Sequence, residues 1–227
     1  MLLTGPEGRH AADVRRLTAG ERVDLTDGAG LVAECVVTRA GRGQLELTVQ
    51  SRRVIAPAQP AVAVVQAIPK GERGQLAVEL ITEVGADVIV PWAAERCVVR
   101  WPGERGERAL GRWRSTAREA AKQARRSWIP EVTGVATLAA VVSRAAAAGG
   151  AVLLDAEAAA PLTELPLPAA GEVLLIVGPE GGISPAEAAA LAAAGAAPAH
   201  LGRTVMRTST AGAVAAALLL SRSGRWD

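Results

Sequence analysis

The residues most able to do chemistry lie in a glycine-rich turn, Gly178-Pro-Glu-Gly-Gly182, which follows an apolar run at 173–177. The run predicts a buried strand, and Ser184-Pro-Ala-Glu187 after the turn predicts a helix that starts with a capping box. Three glycines in one strand-to-helix turn favour a loop whose backbone a ligand approaches closely, although a tight connection alone would also use glycine. The one carboxylate of the turn, Glu180, is a candidate acid or base.

This turn matches none of three common ligand-loop patterns. A dinucleotide-binding loop needs G-x-G-x-x-G with an acidic residue about twenty positions later. Here the pattern is G-x-x-G-G, and no acidic residue lies near position 200. A phosphate-binding P-loop needs G-K-S/T and a hydrolase nucleophile elbow needs G-x-S-x-G, and the turn contains neither. The sequence therefore predicts a ligand loop of another kind.

A second candidate loop is H-L-G-R-T-V-M-R-T-S-T-A-G, residues 200–212. A short strand should end at Gly202, and a helix capped by Ser209 or Thr210 should follow the loop. The loop offers main-chain donors and acceptors, two apolar side chains and one arginine, Arg207. Such a composition suits an adenosine-like ligand that main-chain hydrogen bonds hold between apolar walls.

Both loops lie in a region where strands and helices should alternate. Strands are predicted at 62–68, 88–90, 151–155, 173–177 and 199–201, and helices at 72–84, 112–127, 136–148, 185–195 and 210–221. This alternation predicts a parallel sheet covered on both faces, in the α/β class. Ligands of such sheets bind beyond the carboxyl ends of the strands, so the two loops should meet. The helix at 210–221 is apolar on all sides, which predicts burial, including burial at an oligomer interface.

The first 60 residues have a different pattern. A short helix is predicted at 10–18, and three segments of alternating apolar and polar residues follow it, separated by glycine turns at 28–30 and 41–43. This pattern predicts a β-meander forming a small barrel. A linker, A-P-A-Q-P at 56–60, then separates the two regimes. We therefore expect two domains, 1–60 and 61–227.

Composition excludes several classes of protein. Half of the 227 residues are hydrophobic, yet no apolar run reaches the length of a membrane span, and the N-terminus lacks the pattern of a signal peptide. We therefore expect a soluble, cytoplasmic protein with no membrane partner. The two cysteines, Cys35 and Cys97, are far apart and only two histidines are present, so neither a disulfide framework nor a metal site is expected.

Charge is concentrated in one segment. Residues 96–126 carry ten basic and three acidic residues, a net charge of +7, whereas the whole chain carries +2. This segment is a candidate surface for a polyanion such as nucleic acid, or a solvated helix face in an arginine-rich protein. One helix face within this segment carries Arg112, Glu119, Gln123 and Arg126. These side chains form either a polar network within the helix or a set of contacts to RNA. Of the tryptophans, Trp92 and Trp101 are candidate rings for base stacking, and the others should be core.

The two loops, read in order, resemble the SPOUT methyltransferases. They are most similar to the RsmE family, which methylates N3 of a uridine in small-subunit ribosomal RNA. Four further matches extend the resemblance to nearly the whole chain: H-x-x-x-V-R-R-L-x-x-G at 10–20, Lys70-Gly-Glu-Arg73, Glu83-x-Gly85 with Pro91, and R-W-x-x-x-x-x-E-A-A-x-Q-x-x-R at 112–126. One departure is Ser209, where the family often has glutamate, so no carboxylate role carries over to that position.

The resemblance implies a PUA-like β-barrel followed by a SPOUT domain with a trefoil knot, a homodimer, and S-adenosylmethionine as cofactor. It implies 16S ribosomal RNA, free or in the assembled small subunit, as the substrate. The implied cofactor-binding residues are Gly178, Pro179, Glu180, Gly181, Leu201, Gly202, Val205, Met206 and Thr208. The implied RNA-binding residues are Arg16, Lys70, Arg112, Gln123 and Arg126.

Methylation of uridine at N3 requires that the N3 proton be lost. A cation near a uracil oxygen stabilises the anion, and a carboxylate takes the proton. Arg207 and Glu180, one from each loop, are the candidates for these two roles. Two other functions remain open from the sequence: methylation of a ribose 2′-hydroxyl, and an inactive knot that only binds RNA.

Overall fold

The computed structural model describes residues 1–226, which form a first compact unit, Met1–Pro57, and a second unit that begins at Ala58. The first unit contains a four-stranded sheet in the order β1-β4-β3-β2. Its elements are β1 (Leu2–Leu3), α1 (Gly5–Arg9), which continues as one π-helical stretch (His10–Val14), β2 (Arg22–Thr26), β3 (Leu31–Gly41) and β4 (Gln44–Val54).

The predicted antiparallel meander is confirmed in β2, β3 and β4. Each strand pairs with the next in the chain, and β1 adds to the far side of β4. Alternate residues of β3 and β4, among them Cys35, Val37, Leu45 and Leu47, form a small buried core. The helix lies earlier than the predicted 10–18, because Pro6 starts it and Arg16 already has a positive φ of 54°.

The second unit is a six-stranded sheet in the order β10-β8-β9-β5-β6-β7. Every strand pair in it is parallel, which confirms the predicted α/β class. Its elements are β5 (Ala61–Ala67), α2 (Arg73–Val84), β6 (Val88–Trp92), α3 (Gly103–Gln123), β7 (Glu131–Val132), α4 (Leu138–Ala147), β8 (Gly150–Leu154), β9 (Glu172–Val177), α5 (Pro185–Ala193), β10 (Ala196–Ala199) and α6 (Thr208–Arg222).

Both faces of this sheet are covered, as the apolar strands require. One buried cluster joins the sheet to α2, α3 and α6, and another joins it to α4 and α5. Helix α6 packs on α2, β5 and β9 of its own chain, with most of its alanines and leucines buried. The apolar character of α6 is therefore largely accounted for by packing within the chain.

Several sequence predictions for this unit were wrong. Helix α3 starts at Gly103, nine residues before the predicted start, because the polar Gly103–Leu110 segment carries little apolar periodicity. It ends at Gln123 and not at 127, since Arg125 has a φ of 54°. Neither Ser209 nor Thr210 caps α6, whose N-cap is Arg207 with no side-chain bond. Trp92 is fully buried, so it offers no ring to a base.

No helix among residues 1–226 is long and apolar enough to span a membrane.

Candidate active site

The carboxyl ends of three adjacent strands, β10, β8 and β9, surround a cleft of about 580 Å³. The glycine loop, residues 178–182, forms one wall, and the 200–208 loop forms another. The remaining wall comes from Leu153, Leu154 and Asp155 at the end of β8. A cleft of this size at the strand ends of a parallel sheet is where ligands of this fold class bind.

The structure brings the sequence-predicted cofactor residues together in this cleft, with one exception. Gly181 does not line it. The predicted residues that do line the cleft are Gly178, Pro179, Glu180, Leu201, Gly202, Val205, Met206 and Thr208, together with Arg207. Two distant sequence segments therefore form one concave surface with apolar side chains and main-chain polar groups.

The glycines meet packing and backbone requirements of the loop itself. A Cβ at Gly178 would lie 2.6 Å from Cγ1 of Ile183, and a Cβ at Gly181 would lie 3.2 Å from Cβ of Arg96. Gly182 has a φ of 73°, which strains other residues. The glycines thus allow the turn to fold tightly against neighbouring side chains.

The predicted capping box after the glycine loop is confirmed. The main-chain N–H of Glu187 donates to the Ser184 hydroxyl, and the main-chain N–H of Ser184 donates to the Glu187 carboxylate. Both side chains are buried. This pair fixes the point at which the glycine loop enters α5.

The second loop is held at both of its ends. At its start, His200 forms an isolated parallel bridge with Pro161, and its Nδ1 accepts a hydrogen bond from the main-chain N–H of Gly202. At its end, the Thr208 hydroxyl donates to the carbonyl oxygen of Gly178. Between these points Val205 is 81% exposed, so its side chain remains available to a ligand.

The two catalytic candidates both line the cleft, and both are exposed. The Glu180 carboxylate accepts a hydrogen bond of 3.3 Å from the main-chain N–H of Lys70. Within the described part of the chain, no ion pair joins Glu180 to Arg207. Each group is therefore positioned by its own loop and is open to a molecule in the cleft.

Sequence reasoning missed several residues of the cleft. The end of β8, at Leu153–Asp155, was predicted as a strand but was not assigned to the site, although it lies beside β9 and β10 in the sheet. The rule that parallel strand ends meet at one edge would have found it. Ile183 and His200 also line the cleft and lie in or beside the two predicted ligand loops, but no role was assigned to them. Arg73 lines it too, and its place in the Lys70–Arg73 match gave no sign of this.

Four of the five predicted RNA-contact residues are exposed. Arg16 lies in the first unit, and Lys70, Arg112 and Gln123 lie in the second. The fifth, Arg126, contradicts the prediction of a nucleic-acid contact. Its guanidinium donates to the carbonyl oxygens of Thr82 and Ala86, at 2.8 and 2.7 Å.

The environment of Arg126 is that of a structural residue. Its side chain is 12% exposed and lies 3.9 Å from the carboxylate of Asp87, which also binds Arg225. Burial lowers the pKa of Arg126, and the Asp87 carboxylate opposes that shift. A guanidinium enclosed in this way ties the end of α2 to the chain after α3, and it presents little surface to a phosphate.

Within residues 1–226, no three or more histidine, cysteine, aspartate or glutamate side chains form a group that could hold a metal ion.

The two parts of the chain match two domain models of RNA methyltransferases. The RNA methyltransferase domain model matches residues 57–220, and the RNA methyltransferase PUA domain model matches residues 3–50. The fold is thus that of an RNA methyltransferase with an N-terminal PUA-like domain. Ribosomal RNA small subunit methyltransferase E of Mycobacterium bovis is 49% identical over 230 aligned residues, covering 100% of this chain and 88% of that protein.

Other relatives agree with this assignment. The protein of the same name from Bacillus subtilis is 27% identical, covering 92% of this chain and 85% of that protein. A methyltransferase structure from Legionella pneumophila, determined in complex with S-adenosylmethionine, is 28% identical with a TM-score of 0.86 and covers 98% of this chain and 91% of that one. The chain belongs to the ribosomal RNA small subunit methyltransferase E family.

Proposed function

We propose that this protein transfers a methyl group from S-adenosylmethionine to N3 of a uridine in 16S ribosomal RNA. The observation that carries this proposal is the single cleft formed by the glycine loop and the 200–208 loop at the ends of β8, β9 and β10. Similarity to a ribosomal RNA small subunit methyltransferase over 100% of this chain and 88% of that protein supports the substrate class.

The residues of the cleft fit this cofactor. Its volume of about 580 Å³ is within the range of small-molecule sites. Leu201, Val205 and Met206 supply an apolar wall for an adenine ring, and Met206 adapts its shape readily. The main chain around Gly178, Pro179 and Gly202, with the Thr208 hydroxyl, supplies polar groups for the ribose and the amino acid part. When bound, the cofactor supplies an electrophilic methyl group on a sulfonium.

The chain's own residues then prepare the acceptor nitrogen. N3 lies on the pairing edge of uracil and carries a proton, so the base must be unpaired or flipped out of a helix. In this proposal Glu180 accepts that proton, and Arg207 stabilises the negative charge that develops on the uracil oxygens. Placement of the base supplies most of the remaining acceleration.

Exposed polar residues outside the cleft provide the RNA surface. The proposed RNA contacts are Arg112 and Gln123 on α3, Lys70 before α2, and Arg16 in the first unit. In this proposal residues 1–60 act as the RNA-binding domain and residues 61–227 as the methyltransferase domain. Contacts of this kind bind the sugar–phosphate backbone and orient the strand, while the cleft selects the base.

The protein is further proposed to act as a homodimer in the cytoplasm, where its ribosomal substrate is assembled. Most of α6 is buried in its own chain, so the interface would use the partly exposed Val214, Ala217 and Leu218 and the surfaces around them.

Mass spectrometry of nucleosides from 16S ribosomal RNA tests the function. RNA from a strain that lacks this protein should lose one N3-methyluridine, and expression of the protein should restore it. Loss of a 2′-O-methylated nucleotide instead would assign the ribose as acceptor. Unchanged RNA would support a protein that binds RNA without methylating it.

A further inference from the structure

The connection between β6 and α3 lies directly on the glycine loop of the cleft. We call residues 93–100 of this connection the strap. Nη1 of Arg96 donates a 3.2 Å hydrogen bond to the carbonyl oxygen of Gly181. The main-chain N–H of Glu95 donates to the buried Glu187 carboxylate at 2.7 Å.

A third contact completes the attachment of the strap. The hydroxyl of Ser184 donates to the carboxylate of Glu95 at 2.7 Å. Ser184 and Glu187 are the two capping residues of α5, so the strap holds the same point at which the glycine loop becomes a helix. The strap and the glycine loop therefore form one hydrogen-bonded unit, although 85 residues separate Arg96 from Gly181.

Hydrogen bonds within the strap hold it in a defined conformation. Arg100 donates hydrogen bonds of 3.3, 3.0 and 2.7 Å to the carbonyl oxygens of Ala93, Ala94 and Glu95. Cys97 is buried beneath it with its Sγ 3.7 Å from the Trp92 carbonyl oxygen, and burial raises the pKa of this thiol. A displacement of one strap residue would thus be transmitted along the strap.

The two arginines of the strap differ in whether their guanidinium groups can bind a further molecule. Arg100 uses its guanidinium to hold the strap together. Arg96 is exposed and donates one hydrogen bond, to Gly181, among the contacts found in residues 1–226. A guanidinium carries five N–H donors in a planar fork, so Arg96 keeps an edge that can bind a phosphate through two parallel bonds.

Charge and position both favour an RNA phosphate as the partner of that edge. Arg96 begins the segment 96–126 that carries the net charge of +7. It contacts the residue next to Glu180, which lines the cleft. When a base of an RNA strand is bound in the cleft, a neighbouring phosphate of the same RNA strand would therefore contact Arg96.

We propose that Arg96 is a positioning residue that couples RNA binding to cofactor binding. This inference rests on the proposed function. A phosphate of the bound strand orders the guanidinium, and the Arg96–Gly181 hydrogen bond then stabilises the glycine loop in the shape that holds the cofactor. Because linkage is reciprocal, bound RNA tightens cofactor binding by the same factor by which the cofactor tightens RNA binding.

Calorimetric titration measures this coupling directly. S-adenosylhomocysteine, which cannot donate a methyl group, is titrated into the full-length protein with and without a saturating 16S ribosomal RNA fragment. The unmodified protein should bind it on the order of tenfold more tightly when RNA is present. Arg96→Ala should bind it within about twofold of normal without RNA and lose most of the enhancement with RNA. Arg96→Lys, which keeps the charge but not the fork, should restore part of it.

The matched control is Arg108→Ala, which replaces an exposed arginine of α3 that pairs with Glu104 on the same helix. Its enhancement by RNA should equal that of the unmodified protein. Equal enhancement in Arg96→Ala, or none in the unmodified protein, overturns the coupling while leaving the proposed function standing. A tenfold loss in Arg96→Ala without RNA also overturns it, since Arg96 would then only support the loop. Failure of the unmodified protein to bind the cofactor analogue in both conditions would refute the proposed function itself.

Discussion

The hydroxyl of Thr208, the first residue of α6, donates a 3.1 Å hydrogen bond to the carbonyl oxygen of Gly178 at the end of β9. The two residues belong to the two loops that form the cleft, and Thr208 is buried. This bond therefore fixes the separation of the two walls before any ligand enters. A site fixed in this way loses less conformational freedom on binding.

Thr208→Val should weaken cofactor binding by about fivefold, because it removes one hydrogen bond worth about 1 kcal/mol and leaves the Gly178 carbonyl without its donor. Isothermal titration with S-adenosylmethionine measures the change. Thr116→Val, the same substitution in the half-buried part of α3, is the control and should leave the affinity unchanged. Equal affinities for the two variants would show that the bond does not shape the cleft.

Arg207→Ala should reduce the single-turnover methylation rate by about a hundred- to a thousandfold, as expected for a lost donor at a site of developing charge. Cofactor affinity should stay within about tenfold, a change of about 1.4 kcal/mol. Raising the pH should partly restore the rate, because more of the uridine is then already ionised.

Glu180→Gln tests the alternative in which Arg207 and Glu180 merely hold their loops together. That alternative predicts a large and similar loss of cofactor affinity in both variants, with no recovery at higher pH. The proposed roles predict a loss of rate in both variants, with affinity retained. Titration and single-turnover assays of both proteins across pH distinguish the two accounts.

The variants Arg126→Ala and Arg112→Ala should distinguish a residue that stabilises the fold from one that binds RNA. The first breaks an enclosed ion pair with Asp87 and two main-chain bonds, so the free energy of unfolding should fall by about 3 kcal/mol. The second removes an exposed charge, so unfolding should change by less than about 0.5 kcal/mol. RNA affinity should weaken in Arg112→Ala, and its salt dependence should become about one unit shallower.

Denaturant unfolding and filter binding over a range of salt concentrations measure these effects. The result that contradicts the assignment is the reverse pattern, in which Arg126→Ala keeps its stability and loses RNA affinity.

Because we propose a homodimer, the protein at micromolar concentration should sediment with the coefficient expected for two chains. Leu218→Glu, which places a charge at a partly exposed position of α6, should shift the protein towards monomer. Leu76→Glu, at an exposed apolar position of α2, serves as the control. A monomeric unmodified protein would refute the dimer.

Local features of the site could be predicted from the sequence because their causes are local. The capping box at Ser184 and Glu187 depends on residues three positions apart, and the structure contains it. The meeting of the two loops follows from a general rule about parallel strand ends, which needs only the strand assignments. The sheet order and any threading of the chain do not follow from periodicity. Pattern reasoning rejects a knot, so that expectation came from family resemblance alone.

Features that depend on distant residues could not be predicted. A Cβ at Gly181 would crowd Cβ of Arg96 at 3.2 Å, and the sequence gives no sign of that contact. Arg126 shares a helical spacing with Arg112, but a positive φ at Arg125 ends the helix before it. Its guanidinium then turns inward to carbonyl oxygens at the end of α2, some forty residues earlier. Spacing along a helix carries information only as far as the helix itself extends.

The measurement that tests the central claim most directly is a methyl-transfer assay with purified protein. The protein is incubated with S-adenosylmethionine carrying an isotopically labelled methyl group and with small ribosomal subunits or 16S ribosomal RNA from a strain that lacks the enzyme. The RNA is then digested to nucleosides and separated by chromatography and mass spectrometry. The account predicts that the label appears in N3-methyluridine, at about one methyl group per RNA, and that Arg207→Ala suppresses it. Label in a 2′-O-methylated nucleoside, or no label in RNA from a protein that binds the cofactor, would contradict it.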